Sequence, residues 1–137
     1  MKTLTKGVDR VYLASPLATY FTPRYDRTLT HAQQHFLGAE IIAARGLYAT
    51  TQEWQRAWPL LVPTLTALVF FTDPQRWIGY GVWTEIKDAM HQGLSISWLT
   101  DNGLLHDWKA VQLSVPNEQD WRQYLRVSLR ASVAVSP

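Results

Sequence analysis

The chain contains no cysteine, which excludes disulfide bonds and thiolate metal ligands from its chemistry. No apolar run approaches the roughly 20 residues that a helix needs to cross a bilayer. Lysine and arginine are not clustered, and the formal charge is only +2, which argues against a nucleic-acid partner. The N-terminal stretch MKTLTKGVDR lacks the apolar segment of a signal peptide. We therefore expect a cytoplasmic protein with no membrane partner.

The composition is that of a globular domain, with 47% hydrophobic and 18% charged residues among the 137. This length predicts a single domain over residues 1–137 that can bury a substantial core. No internal repeat or linker divides it. We expect the last residues, from 130 to 137, to be frayed.

Short apolar runs predict the strands. VYLA at 11–14, ALVFF at 67–71 and SISWL at 95–99 have the length and the β-branched or aromatic content of buried strands. LYA at 47–49 and VQLSV at 111–115 are further candidates. Because these runs are apolar throughout, they favour a parallel sheet that is covered on both faces.

Capping signals and helical spacing predict the helices. The first helix is predicted to begin at Thr30, after the loop TYFTPRYDRTLT, and to end near Gly46. The second begins after Thr50 and ends at Pro59 and Pro63. The apolar positions of the first helix are Phe36, Leu37, Ile41 and Ala44. A third helix ends near Gly93 and packs through Ile86, Ala89 and Met90. A last helix is capped by Asn117 and has Trp121, Tyr124 and Leu125 on one face.

The alternation of strands and helices predicts an α/β fold: a flavodoxin/Rossmann-like three-layer domain with a mostly parallel five-stranded sheet. In such sheets ligands bind at the carboxyl ends of the strands. Three predicted strands end in polar residues that should share this edge: Ser15-Pro16, Thr72-Asp73 and Thr100-Asp101-Asn102.

Two segments resemble the nucleoside 2-deoxyribosyltransferase-like family, which includes nucleotide N-glycosidases. VYLASPL resembles its first strand and loop, and GVWTEIKDAMHQGLSISWL resembles a second motif in which glycine precedes glutamate by four positions. The resemblance covers roughly residues 10 to 100. It implies an enzyme that transfers or hydrolyses the base of a nucleoside or nucleoside monophosphate. It also implies a homo-oligomer, a dimer or larger, and no cofactor.

The resemblance also assigns roles to individual residues. Glu85 matches the nucleophile that attacks the anomeric carbon, and Tyr12 matches the strand tyrosine that holds this carboxylate. Ser15 lies in the loop that contacts the sugar or its phosphate. Family members often carry an aspartate where this chain has Gly79 and another before the third strand. Asp73 is close enough in sequence to replace one of them as a catalytic residue.

The residue types suit this chemistry. A carboxylate can trap the oxocarbenium-like sugar that forms when an N-glycosidic bond breaks. We expect Glu85 in the first turn of a helix, where the helix dipole favours its ionised form. Gly81 lets the backbone approach a ligand. Trp77 and Tyr80 could stack on a base, whereas Trp83 is expected in the core or in an interface.

Other polar residues leave alternatives open. Asn102 could bind a ligand or belong to an ordinary turn. Arg24 and Arg27 could meet a 5′-phosphate or be solvated. His31 and His35 have the spacing of a zinc pair, but no third ligand is evident, and no metal site is expected. The alternatives to an enzyme are a nucleotide-binding sensor that retains the pocket and a structural interaction protein.

Overall fold

The computed structural model describes residues 9–108. These residues form an α/β fold with five strands and three helices. The strands are β1 (Arg10–Ala14), β2 (Glu40–Ala43), β3 (Ala67–Phe70), β4 (Ser95–Leu99) and β5 (Leu105–Asp107). The helices are α1 (Pro23–His35), α2 (Thr51–Leu61) and α3 (Gly79–His91), and short 3₁₀ turns cover Leu17–Thr19 and Val62–Thr64.

The sheet has the strand order β2-β1-β3-β4-β5. The first four strands are parallel, and β5 pairs antiparallel with β4. Ala14 lies beside Phe70, and Phe70 lies beside Trp98, so β1, β3 and β4 end at one edge. The mostly parallel five-stranded sheet predicted from the sequence is confirmed.

Alternate residues of the central strands pack into two separate cores. Tyr12 and Phe70 belong to a cluster with buried residues of α2 and α3. Leu13 and Val69 belong to a second cluster with Tyr25 of α1. Helices therefore cover both faces of the sheet, which explains why the strand sequences are apolar throughout.

The start of α1 differs from the prediction. The helix begins at Pro23, and the Thr22 side chain caps it by accepting a hydrogen bond from the backbone N–H of Tyr25 at 3.3 Å. The segment predicted as a loop is therefore largely helical. Proline suits the first helical position because its missing N–H has no partner there. Thr30 lies inside the helix, where its hydroxyl donates to the carbonyl of Asp26.

The end of α1 and the second strand also differ. The helix stops at His35, and the backbone turns through Gly38, whose φ is +83°. Ile41, predicted on a helix, lies in β2 opposite Val11. Pairing with β1 thus outweighs the helical spacing of this segment. The LYA segment predicted as a strand is a turn that follows β2.

The predicted capping box of α2 is confirmed. The Thr50 side chain accepts from the N–H of Glu53 at 3.1 Å, and the Glu53 carboxylate accepts from the N–H of Ala49 at 2.5 Å. Pro59 does not end the helix, which continues to Leu61. Because Pro59 has no N–H, the carbonyl of Gln55 loses its helical hydrogen bond. Gln55 is exposed, so water can hydrogen-bond to this carbonyl instead.

The remaining predictions have mixed outcomes. β3, β4 and the end of α3 at Gly93 agree with the sequence analysis. Met90 was expected on the packed face of α3 but is 42% exposed. β5 was not predicted, because three residues after a tight turn give little sequence signal. VQLSV, the last helix and the tail lie outside the described residues.

None of the helices within residues 9–108 has the length and the apolar character required to cross a membrane.

The corrected start of α1 can be tested with a matched pair of threonine variants. Thr22→Ala is expected to lower the free energy of unfolding by about 1 kcal/mol, because it removes the helix cap. Thr30→Ala should change it by less than about 0.5 kcal/mol, because Thr30 is exposed and caps nothing. Urea unfolding measures both values. The opposite order would place the helix start at Thr30.

Candidate active site

Glu85 lies on α3 and is only 4% exposed. The helix begins at Gly79, and its first turn contains no acidic residue. The expectation that the helix dipole favours an ionised Glu85 is therefore wrong, because that effect falls off within the first turn. The carboxylate depends instead on side chains from other elements.

Two donors from different elements bind the same oxygen of Glu85. The hydroxyl of Tyr12, on β1, donates to Oε2 at 2.5 Å. The indole Nε1–H of Trp54, on α2, donates to the same Oε2 at 3.0 Å. The contact between Tyr12 and Glu85 is the one that the family resemblance implied. Trp54 was not singled out from the sequence.

A group of tyrosines surrounds this carboxylate. The hydroxyls of Tyr12 and Tyr48 lie 3.2 Å apart. Burial raises the pKa of Tyr12 well above its ordinary value, and the charge of Glu85 adds to the rise. Burial also raises the pKa of Tyr48 to about 12 and raises the pKa of Tyr20. All three phenols therefore stay neutral at physiological pH and can act as donors.

Burial also controls the ionisation of Glu85 itself. It raises the pKa of the carboxyl from 4.5 to about 7, although the hydrogen bonds from Tyr12 and Trp54 act to lower it. The charge of Asp88, one turn further along α3, contributes to the rise. At neutral pH the group thus exists in both forms, a property typical of functional carboxyls.

A second pair lies one turn further along the same two helices. The indole Nε1–H of Trp58 donates to Oδ2 of Asp88 at 2.9 Å. The Trp58 ring also packs on Tyr12, with 4.8 Å between the ring centroids. Two tryptophans four positions apart thus face two acids three positions apart. This spacing is visible in the sequence, but it does not show that the two helices face each other.

Ser15 follows β1 at the carboxyl edge of the sheet and is 4% exposed. Its Oγ has no hydrogen-bond partner among the described residues. β1 and β3 are neighbours in the sheet, and the chain winds outward in opposite directions from them. This switch in strand order is where α/β sheets bind ligands. An unpaired hydroxyl here is available to a bound molecule.

Asp73 follows β3, and its contacts are with its own turn. Oδ1 accepts from the backbone N–H of Gln75 at 2.8 Å and from that of Trp77 at 2.9 Å. These bonds shape the turn in which Arg76 has a φ of 65°. Within residues 9–108 no hydrogen bond joins Asp73 to Glu85.

The other residues expected to contact a substrate lie at or near the same edge. Trp77 is half-buried, and Tyr80 is 46% exposed. A Cβ added at Gly81 would meet nothing within 4 Å, so space is open there. Asn102 is exposed in the turn between β4 and β5. Trp83 packs against the core and against Trp108, with 6.4 Å between the ring centroids.

Arg24 was considered as a phosphate ligand, but it has partners within the protein. Its Nη2 lies 2.6 Å from Oδ1 of Asp101, and its Nη1 donates to the carbonyl of Thr72. The side chain thus ties α1 to the carboxyl ends of β3 and β4. Arg27 is exposed.

The histidines of α1 face the turn between β4 and β5. His35 hydrogen-bonds the carbonyl of Gly103. A side chain at Gly103 would collide with the ring of His31. In the part of the chain that the structure describes, no cluster of three or more acids and histidines could hold a metal ion.

Comparison with models of known protein families, with curated proteins and with solved structures found no match to this chain.

The raised pKa of Glu85 makes the stability depend on pH. The unfolded carboxyl ionises near 4.5 and the folded one near 7, so the folded state holds more protons in this window. Stability should therefore fall as pH rises from 4.5 to 7 and level off above it. The total loss is about 3 kcal/mol, from the 1.36 kcal/mol that each pKa unit represents.

Urea unfolding of the wild type and of Glu85→Gln, at several pH values, tests this expectation. The difference between their free energies of unfolding should change by about 3 kcal/mol across the window, since the amide does not titrate. Parallel stability curves would mean that Glu85 ionises in the folded protein as it does in the unfolded chain.

The unpaired hydroxyl of Ser15 gives a prediction with an unusual sign. Ser15→Ala should leave the free energy of unfolding unchanged or raise it by about 1 kcal/mol, because it removes a buried polar atom without a partner. Thr19→Val is the matched control, since the Thr19 hydroxyl is buried but donates to the carbonyl of Pro16 at 2.6 Å. It should cost about 1 kcal/mol. Equal destabilisation by both variants would mean that Ser15 has a partner.

Proposed function

We propose that the protein is an enzyme of the N-glycosidic bond, which acts on a nucleoside or deoxynucleoside or its monophosphate. Glu85 is the nucleophile, and the base is transferred or released to water. The observation that carries this proposal is the buried Glu85 carboxylate bound by Tyr12 at 2.5 Å. A buried carboxyl with a strongly shifted pKa is a candidate catalytic group.

The fold supports the proposal. The strand order β2-β1-β3-β4-β5 is that of flavodoxin-like sheets, apart from the antiparallel direction of β5. We propose a Rossmann-like architecture on this basis. In it, Ser15 and the residues after β3 lie at the switch point, where the sugar would bind. Trp77 lies on the loop that enters α3 and Tyr80 lies in the first turn of that helix, where an aromatic base could stack on them.

The proposed reaction has two steps. In the first, the Glu85 carboxylate forms a bond to the anomeric carbon, while the electrons of the C1′–N bond leave with the base. The departing base takes a proton from water. In the second, water or another base attacks C1′, the C1′–O bond electrons return to Glu85, and the attacking molecule releases its proton to solvent. Two displacements retain the configuration at C1′.

The neutral tyrosines suit this scheme. Tyr12, Tyr20 and Tyr48 remain protonated, so they place no second negative charge beside the nucleophile. The positive charge that develops on the sugar is then countered by Glu85. Because the site is buried, this attraction is stronger than it would be in water.

A nucleotide-binding sensor is the second candidate. The observation that favours it is that Asp73, expected to replace the missing acid, has its carboxylate engaged in its own turn. Without an acid to protonate the leaving base, the reaction loses a contribution of roughly 10²–10⁴-fold. Such a protein would bind the substrate through the same edge and leave the bond intact.

Base release from a panel of nucleosides, deoxynucleosides and their monophosphates tests the proposal by chromatography. The wild type should release base from at least one compound, and Glu85→Gln should be slower by roughly 10³-fold or more. The rate should rise with pH and level off above about 7, because the nucleophile must be ionised. Adding a second free base separates transfer from hydrolysis.

Thr30→Ala, purified in parallel, controls for a contaminating nucleosidase and should retain the wild-type rate. Base release that survives in Glu85→Gln would overturn the assignment of the nucleophile. If no compound is cleaved while one raises the melting temperature, the sensor is the correct function.

A further inference from the structure

Trp54 is held in place by the start of α2. It is the fourth residue of the helix, next to the capping box in which the Thr50 side chain accepts from the N–H of Glu53 and the Glu53 carboxylate accepts from the N–H of Ala49. Its ring packs against the core cluster that contains Tyr12. The indole is thus fixed from two sides, and its N–H reaches Oε2 of Glu85 at 3.0 Å. The indole nitrogen can only donate a hydrogen bond, so in this contact Trp54 is the donor and Glu85 is the acceptor.

The two donors to Glu85 leave its oxygens unequal. Tyr12 and Trp54 both bind Oε2, whereas Oε1 accepts no hydrogen bond from any residue between 9 and 108. One donor alone would allow the carboxylate to rotate, because the terminal torsion of glutamate is broad. Two donors from β1 and α2 fix its plane.

We propose that Trp54 is a positioning residue for the nucleophile: with Tyr12 it holds Oε2 of Glu85, so that Oε1 is the atom that attacks the sugar. The inference rests on the proposed function and names a residue beyond those that the family resemblance implied. Trp54 acts through Glu85 and touches no reacting atom.

The chemistry of the two steps explains why a donor on Oε2 is useful. When Oε1 bonds to C1′, Oε2 becomes the carbonyl oxygen of an ester and carries little charge. When the C1′–Oε1 bond breaks, the electron pair returns to the carboxylate, and half of its charge appears on Oε2. Hydrogen bonds to a charged acceptor are roughly twice as strong as neutral ones. Trp54 therefore stabilises Glu85 as the leaving group of the second step.

The chain supplies its own control. Trp58 lies four positions further along α2, and its indole N–H donates to Asp88 instead of Glu85. It is more deeply buried than Trp54, at 2% exposure, and it also packs on Tyr12. A loss of packing alone should therefore harm Trp58→Phe at least as much as Trp54→Phe.

The kinetic test compares these two phenylalanine variants. Trp54→Phe should lower kcat by roughly 10²-fold, the scale of losing one donor to a developing charge. KM should fall together with kcat, so that kcat/KM changes little, because only the second step is slowed and the covalent intermediate accumulates. The covalent glycosyl-enzyme should accumulate in Trp54→Phe and be visible by mass spectrometry after rapid quenching. Trp58→Phe should keep a kcat close to the wild-type value, with a larger loss of melting temperature.

A second measurement needs no turnover. In the ¹H–¹⁵N spectrum the indole signal of Trp54, identified by its loss in Trp54→Phe, should shift with pH with a midpoint near 7, as Glu85 ionises. The other titratable groups that the pKa of Glu85 depends on, or that its charge acts on, are Tyr12, Tyr20, Tyr25, Tyr48 and Asp88. The shift should disappear in Glu85→Gln and persist in Asp88→Asn. This result would establish the contact by itself.

The outcomes separate the inference from the proposed function. If the wild type releases base and Trp54→Phe has the wild-type kcat, the inference is overturned and the proposed function stands. If kcat falls equally in both tryptophan variants, packing explains the loss and the inference is again overturned. If the wild type cleaves no compound, the proposed function fails and the positioning role fails with it. The indole titration then still reports whether the contact exists.

Discussion

A carboxylate placed between a sheet and two helices must be hydrogen-bonded or lose its charge, because the low-dielectric interior opposes ionisation. Glu85 is in this position, and the structure responds with donors from two elements. Tyr12 on β1 and Trp54 on α2 both donate hydrogen bonds to Oε2 of Glu85, which itself lies on α3. A single buried group thus connects the central strand to both helices on one face of the sheet.

This constraint accounts for the aromatic character of the core on that face. Tyrosine and tryptophan have a large apolar body and one polar group, so they can fill the core and still bind a carboxylate. Tyr12 and Trp58 pack together at 4.8 Å, while the polar group of each reaches a different acid. Purely apolar side chains could also fill the core, but the buried Glu85 and the half-buried Asp88 would then lose these donors.

The sequence predicts the parts of this arrangement that depend on local chemistry. The apolar run of β3 and the capping box of α2 are local signals, and both agree with the structure. The start of α1 differs from the prediction because two local signals compete, and Thr22-Pro23, a cap followed by proline, begins the helix before the cap signal at Thr30. β2 was missed because its residues also have helical spacing, and pairing with β1 decides between the two structures.

The candidate site was predictable only in part, for the same reason. Glu85 and Tyr12 were found through the family resemblance, which places them together without geometry. The resemblance does not point to Trp54. The spacing of Trp54 and Trp58 shows that the two side chains share a face of one helix, but it does not show which other helix that face packs against. The expected dipole effect failed because α3 begins six residues before Glu85, at Gly79.

The burial that makes Glu85 hard to ionise also determines how strongly the ionised form can act. In a buried site an ionised carboxylate attracts positive charge more strongly than it does in water, and the donors on Oε2 are already oriented when that charge develops. A sugar that acquires positive charge beside Glu85 would lower the pKa of the carboxyl, because an opposite charge favours ionisation. The positive charge on the sugar in the proposed transition state therefore stabilises the ionised Glu85, and the ionised Glu85 stabilises that transition state. In the proposed reaction, a pKa near 7 means that a small change in surroundings converts the neutral carboxyl into the ionised form that the nucleophile requires.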